Sequence, residues 1–353
     1  MHVPARLVAF ACVAVLLSAC GSSAASPTPT ESLSPLPTRG SSMLVVLVTD
    51  IGGLHDRSFN QEAWNGLKRA QSVLGISPVA RASRTTNDYF PLLSQAARDK
   101  ADLIIAVGST MGTSVYAAAK QYQNQRFAMV DARPQSSPGR EVNMPNVVNL
   151  LFKEQESGYL VGSIAGLMEK QRVGAATHNT IAWLGGQDIP PVDAYLAGFE
   201  AGARKVDPSI AILRQFAGTF GDAATGRNFA QQQLSSGADI FFQVAAETGA
   251  AYLQRAEKSG KYGIGADADQ SYLGNNTITT AVKRVDVAVL DTVKALHAGH
   301  FQPFDHRYGI REGTTGYALP TSIVPANIVR QVNELAKQIS QGKLVPPRTL
   351  PTR

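Results

Sequence analysis

A chain of 353 residues is long enough for two domains and a sizeable core, and at 44% hydrophobic and 17% charged its make-up is that of a globular protein. The net charge of +6 is scattered rather than gathered in a run, which argues against a nucleic-acid partner and for an ordinary solvated surface. The only cysteines are Cys12 and Cys20, so the body after residue 20 has no disulfide of its own and relies on its core.

Residues 1–20 read as an export signal. Arg6 gives a short basic start, and Leu7 to Leu17 is an uncharged apolar run too short to span a bilayer with ease. The run ends Leu17-Ser18-Ala19-Cys20-Gly21. Small residues ahead of a cysteine resemble the lipobox of bacterial lipoproteins. That resemblance implies removal of residues 1–19 and a lipid on Cys20, which would anchor the protein to the cell membrane, facing outside the cytoplasm. A plain signal peptide with a chance cysteine is the simpler alternative. The motif's position and the lack of any later cysteine favour the lipoprotein. Residues 20–42 are dominated by Ser, Pro and Thr, bury too little apolar surface to fold, and read as a tether.

From Met43 onward, apolar runs alternate with amphipathic patterns of helical period. Strands are expected at Met43–Thr49, Leu103–Val107, Phe127–Val130, Val147–Leu151, Ile181–Leu184, Ile210–Phe216, Ile240–Val244, Tyr262–Ala266 and Ile278–Val282. Most are continuously apolar, as suits parallel strands covered on both faces. Between them, Ser58 and Gln61 have capping-box spacing ahead of a helix that Gly75 ends. Asp222 is placed to cap a second helix, reaching Ser236. Further helices fit Thr113–Gln123, Gln155–Met168, Asp193–Lys205, Gly249–Lys258, Asp286–Ala298 and Ala326–Gln341. This order predicts an α/β protein of doubly wound parallel sheets, and the strand number favours two lobes with a boundary near Phe152. His306–Ile310 and Gly316–Leu319 are expected to form a hairpin around Gly313.

Polar groups recur at the strand ends: Asp50, Gly108-Ser-Thr110, Asp131, Gly185-Gly-Gln187 and Asp267. Such groups can converge on one crevice at the carboxyl edge of a sheet. Any single Asp there serves equally well as a cap or turn former, and it is the recurrence that favours a site. Carboxylates facing a cleft accept hydrogen bonds from hydroxyls, which suits a polyol or ribose. Lys283 is a flexible donor beyond the Ile278–Val282 strand, or an ordinary surface lysine. Phe59 and Phe220 can stack on a flat base or simply pack in the core. His297 and His300 have no paired metal ligands nearby, so no metal is expected, and no cofactor either. There is no Walker-type loop and no nucleophile elbow.

The chain resembles the basic membrane protein lipoproteins, whose characterised members include purine-nucleoside receptors of ABC transporters. The resemblance is carried by Thr49-Asp-Ile-Gly-Gly-Leu-His-Asp-Arg-Ser-Phe-Asn-Gln61, Phe127-Ala-Met-Val-Asp131, Glu156-Ser-Gly-Tyr-Leu-Val-Gly162, Leu184-Gly-Gly186 with Gly198-Phe-Glu-Ala-Gly202, and Ile264-Gly-Ala-Asp-Ala-Asp-Gln270. It implies a type I periplasmic-binding-protein fold: two Rossmann-like lobes joined by three crossovers, near Phe152, Thr280 and His306. Lobe 1 would comprise 43–151 and 281–305, and lobe 2 would comprise 152–280 and 306–353. It also implies capture of a nucleoside, with a purine favoured, by a monomer that hands it to an ABC permease and performs no catalysis. Phe59 would stack on the base with Asp50 and Asn60 beside it. Asp131 and Asp267 would hold hydroxyls or base edges, and Lys283 would reach the sugar. Phe220 is the candidate second ring, with Phe216 and Phe242 as alternatives. The family commonly has a Gly-Gly-Thr-Gly turn where this chain reads Ala246-Glu247-Thr248-Gly249, which puts purine specificity in question. Two other readings are a nucleoside hydrolase-like enzyme, whose calcium-binding acidic start Asp50–Asp56 superficially resembles, and a ligand sensor without a transport role. The hydrolase reading is short of calcium ligands.

Overall fold

A computed structural model describes residues 42–350. The expected export signal, Cys20 and the tether up to residue 41 lie outside the described residues, as do 351–353.

The first sheet runs β2 (Ser77–Ala82), β1 (Leu44–Thr49), β3 (Leu103–Val107), β4 (Phe127–Val130), β7 (Val147–Phe152) and β13 (Phe304–Tyr308), with every neighbouring pair parallel. A small ribbon of β5 (Gln135–Ser137) and β6 (Arg140–Glu141) follows β4. Helices α1 (Phe59–Leu74) and α8 (Val285–His297) cover one face, and α2 (Tyr89–Arg98) and α3 (Gly112–Gln121) the other. The second sheet runs β9 (Ala211–Phe216), β8 (Thr180–Gly185), β10 (Ile240–Val244), β11 (Tyr262–Asp267), β12 (Thr277–Lys283) and β14 (Thr315–Tyr317). Only its last pair is antiparallel. Here α4 (Glu154–Lys170), α5 (Pro190–Val206) and α9 (Ala326–Ser340) lie on one face, and α6 (Ala223–Ser235) and α7 (Ala246–Glu257) on the other.

Each sheet is thus sandwiched between two apolar layers, which is why its central strands are buried along their whole length. Fully burying one Leu or Phe side chain contributes about 1.5–3 kcal/mol, and residues such as Leu47, Leu67, Phe127, Phe199 and Phe241 all sit at this limit. The α4–α5 contact is close enough to require glycine: a Cβ on Gly162 would fall 2.2 Å from the carbonyl oxygen of Phe199. Asp222 caps α6, its carboxylate accepting the backbone N–H groups of Ala224 and Thr225.

Several expectations are corrected. The second crossover follows β12, whose Ala281, Val282 and Lys283 pair within the second sheet, so it lies at Lys283–Arg284 rather than near Thr280. The third follows Tyr308, because His306 to Tyr308 pair with β7. The expected hairpin around Gly313 does not form. Its halves join different sheets, β13 beside β7 and β14 beside β12, and the turn between them is that third crossover. Edge strand β2 (Ser-Pro-Val-Ala-Arg-Ala) escaped detection because it is only partly buried and carries a proline, which a sheet tolerates at its edge.

Candidate functional site

The carboxyl ends of both sheets face one cleft, the crevice where open α/β sheets take their ligands. All seven residues expected to contact ligand line it: Asp50, Phe59, Asn60 and Asp131 from the first lobe, and Phe220, Asp267 and Lys283 from the second. The convergence follows from topology, since parallel strands end on the same edge.

Asp50 leaves β1, and its Oδ1 accepts the N–H of Gly52 at 3.0 Å and the Asn60 side-chain amide at 2.8 Å. Burial pushes its carboxyl above the usual range, against these two donors. Gly108, at φ +120°, makes room for it: a Cβ there would lie 2.7 Å from Asp50 Oδ2. Asp56 resolves as a loop-fixing residue that also touches the cleft. Its carboxylate accepts the backbone N–H groups of Ser58, Asn60 and Gln61 at 2.9–3.0 Å. Burial raises it to about 6. Asp56 therefore does the work expected of a Ser58–Gln61 capping box, since the Ser58 side chain makes no capping bond. The Ser58 hydroxyl instead donates to Asp267 Oδ2 on the other lobe at 3.1 Å.

At the back of the cleft, Asp131 and Asp267 stand at strand ends in left-handed backbone, with φ of +71° and +64°. Lys283, 3% exposed, places Nζ 2.6 Å from Asp131 and 3.7 Å from Asp267. The surface-lysine alternative is thereby excluded. The ammonium also lies 4.6 Å from the centre of the Phe59 ring. Glu154, at the start of α4, and Asp131 and Asp267 form an acidic set around this one ammonium, with Arg348 donating to Glu154 at 3.2 Å. Burial raises Asp131 against the pull of Lys283, and raises Glu154 to about 7. Burial also pushes Lys283 down, but Asp131, Asp267 and Glu154 outweigh it and hold its pKa above the ordinary lysine value. Acids and base shift upward together, as an excess of buried carboxylates requires. The Tyr195 hydroxyl donates to Asp267 Oδ1 at 3.1 Å. Three buried acceptors of this set, Asn60 Oδ1, Asp131 Oδ1 and Glu154 Oε1, have no partner within the protein.

Of the three rings considered for the second lobe, Phe220 lines the cleft, lying so close over Gly186 that a Cβ there would meet it at 2.2 Å. Phe216 packs edge-on against Trp183, and Phe242 is fully buried between Phe199 and Tyr195. Ala246 takes φ +47° on the cleft wall, a conformation glycine adopts at no cost, and the exposed Glu247 faces an outer vestibule. Tyr195 and Glu154 were not anticipated. Tyr195 reads as a core residue of α5 and its ring is one, so only the hydroxyl reaches the site. Glu154 opens a helix, where an acidic residue is ordinary.

Two doubly wound lobes closing on a cleft of convergent strand ends make this a solute-binding protein of the periplasmic-binding-protein fold. The architecture matches the crystal structure of an ABC transporter system solute-binding protein from Aeropyrum pernix K1, with a TM-score of 0.78 and 26% identity over 86% of this chain and 94% of that one. The chain belongs to the family described as ABC transporter substrate-binding protein PnrA-like, whose profile matches residues 43–349. It is 32% identical over 321 residues to an uncharacterised lipoprotein of Pyrococcus horikoshii, covering 88% of this chain and 75% of that one. It is 31% identical over 309 residues to basic membrane protein A of Borreliella afzelii, covering 86% and 91%. The family comprises substrate-binding proteins of ABC transporters, not enzymes.

Proposed function

We propose that this protein, a monomer held outside the cytoplasm by lipid on Cys20, captures a nucleoside in the cleft and delivers it to an ABC permease, with a purine the favoured base. In this reading lobe 1 comprises residues 43–152 and 284–308, and lobe 2 comprises residues 153–283 and 309–350. The observation that carries it is that each lobe contributes a ring to the cleft lining, Phe59 from the first and Phe220 from the second, around a cleft whose unpartnered buried atoms are acceptors. Rings from two lobes can sandwich a planar base, each stack adding about 0.5–1.5 kcal/mol beyond buried area. Free acceptors call for a ligand rich in N–H and O–H groups. Lys283 is already committed to Asp131, and the surrounding carboxylates repel anions, so a neutral nucleoside fits where a nucleotide does not.

The test is a thermal-shift panel of adenosine, guanosine, inosine, uridine, cytidine, free ribose and adenosine monophosphate, followed by calorimetry. Purine nucleosides raise the melting temperature, as a ligand specific to the folded state must. The monophosphate leaves it unchanged. A panel in which ribose alone, or the monophosphate best of all, stabilises the protein overturns the reading.

A further inference from the structure

In front of the inner chamber lies an outer vestibule. It shares Gly52, Asp56, Phe220 and Ala246 with the chamber and continues outward to Arg57 and Tyr272. Arg57 belongs to the loop between β1 and α1 of the first lobe. Tyr272 sits in a single helical turn, Ser271–Leu273, between β11 and β12 of the second. The guanidinium carbon of Arg57 stands 3.9 Å from the centre of the Tyr272 ring, across the gap between the lobes.

Two features hold Arg57 in this pose. The carboxylate of its neighbour Asp56 binds three backbone N–H groups on the far side of Arg57, which fixes the loop. Arg57 itself takes φ +52°, a conformation that costs a residue with a side chain and persists where the surroundings enforce it. The next residue, Ser58, reaches across the same gap to Asp267. Tyr272 is 42% exposed and offers its face to the cation.

We propose that Arg57 and Tyr272 form a latch across the mouth of the cleft. The pair holds the lobes shut over a ligand that neither residue touches, and so sets how long the ligand stays. The ligand meets the residues of the inner chamber, while the latch acts on the closed state as a whole. The rate measurement below rests on the nucleoside reading, whereas the scattering measurement does not.

The test follows adenosine binding by stopped flow to the full chain and to Arg57→Ala, Tyr272→Ala, Tyr272→Phe and the double Ala variant. Each single Ala substitution raises the dissociation rate about two- to fivefold, the range for an exposed cation–π pair, with the association rate unchanged. Tyr272→Phe keeps the ring and the wild-type rate. The double variant dissociates no faster than either single one, because the two side chains act through one contact. Unchanged dissociation rates, or multiplying effects in the double variant, overturn the latch. If adenosine does not bind the wild-type protein, the nucleoside reading fails, and X-ray scattering of the ligand-free proteins decides the latch alone. A larger radius of gyration in Tyr272→Ala than in wild type supports it, and equal radii overturn it.

Discussion

Substituting Lys283→Met removes the ammonium shared by Asp131 and Asp267 but keeps an apolar stem of similar length beside Phe59 and Phe152. Breaking a buried ion pair from one side costs about 3–5 kcal/mol, because the surviving charge is left uncompensated. With a melting entropy of about 2.1 cal/mol/K per residue over a folded body of roughly 300 residues, that corresponds to a melting temperature lower by about 5–8 °C. The pH dependence separates this cause from lost packing. Glu154 is raised from 4.5 to about 7 and Asp131 is raised as well, both by burial. Between the unfolded and folded pKa values the native state holds protons that the unfolded chain has released, so stability falls as pH rises through that window. Lys283 lowers both acids, and its loss steepens the fall. The deficit of the variant is therefore largest above pH 7 and shrinks toward pH 5. Calorimetry of ligand-free protein at pH 5 and pH 8 measures it. A deficit below about 2 °C at pH 8, or one that grows on acidification, would refute the electrostatic account.

Phe59→Ala removes one stacking face and its buried area, and lowers adenosine affinity about ten- to hundredfold by calorimetry; unchanged affinity removes Phe59 from the binding role. Gly186→Ala places a methyl group 2.2 Å from the Phe220 ring and must displace it, so adenosine binding weakens at least tenfold while the circular-dichroism spectrum stays native. Binding at wild-type affinity would show that Phe220 is not the second wall. Glu169 is raised by burial, and further by Asp239, to about 8, and one of its oxygens is buried without a partner. Wild-type stability should thus fall as pH rises from 4.5 to 8, and Glu169→Gln should flatten that slope and melt above wild type at pH 8. Parallel melting curves for the two proteins across this range would rule out Glu169 as the source.

The sequence was most informative where chemistry and topology coincide. Continuous apolar runs such as Leu103–Val107 and Phe127–Val130 announce covered parallel strands, and the polar residues that soon follow them, Ser109 and Asp131, mark the cleft edge. What stayed hidden depends on partners distant in the chain. The segment around His306 pairs with β7, more than 150 residues earlier, and no local pattern distinguishes that from a hairpin. Ser58 looked like a cap because it has the right neighbours. Its hydroxyl is drawn away by Asp267, 209 positions along the chain, and Asp56 takes over the backbone donors. Lys283 looked like any surface lysine until three carboxylates from separate segments were brought around it.

The two acids facing Lys283 occupy matching places, each at the end of the fourth strand counted from the edge that β2 or β9 forms. Both stand in left-handed backbone, which Asp, Asn and Gly enter readily and bulkier or branched residues do not. The routes by which this cleft could acquire a new ligand at those corners are correspondingly few. Asn in place of Asp would turn a charged acceptor into a neutral group that also donates, and Gly would open the space that the carboxymethyl group now fills. Specificity here can be retuned in hydrogen-bond sense and in volume, while the backbone that frames the ligand stays where it is.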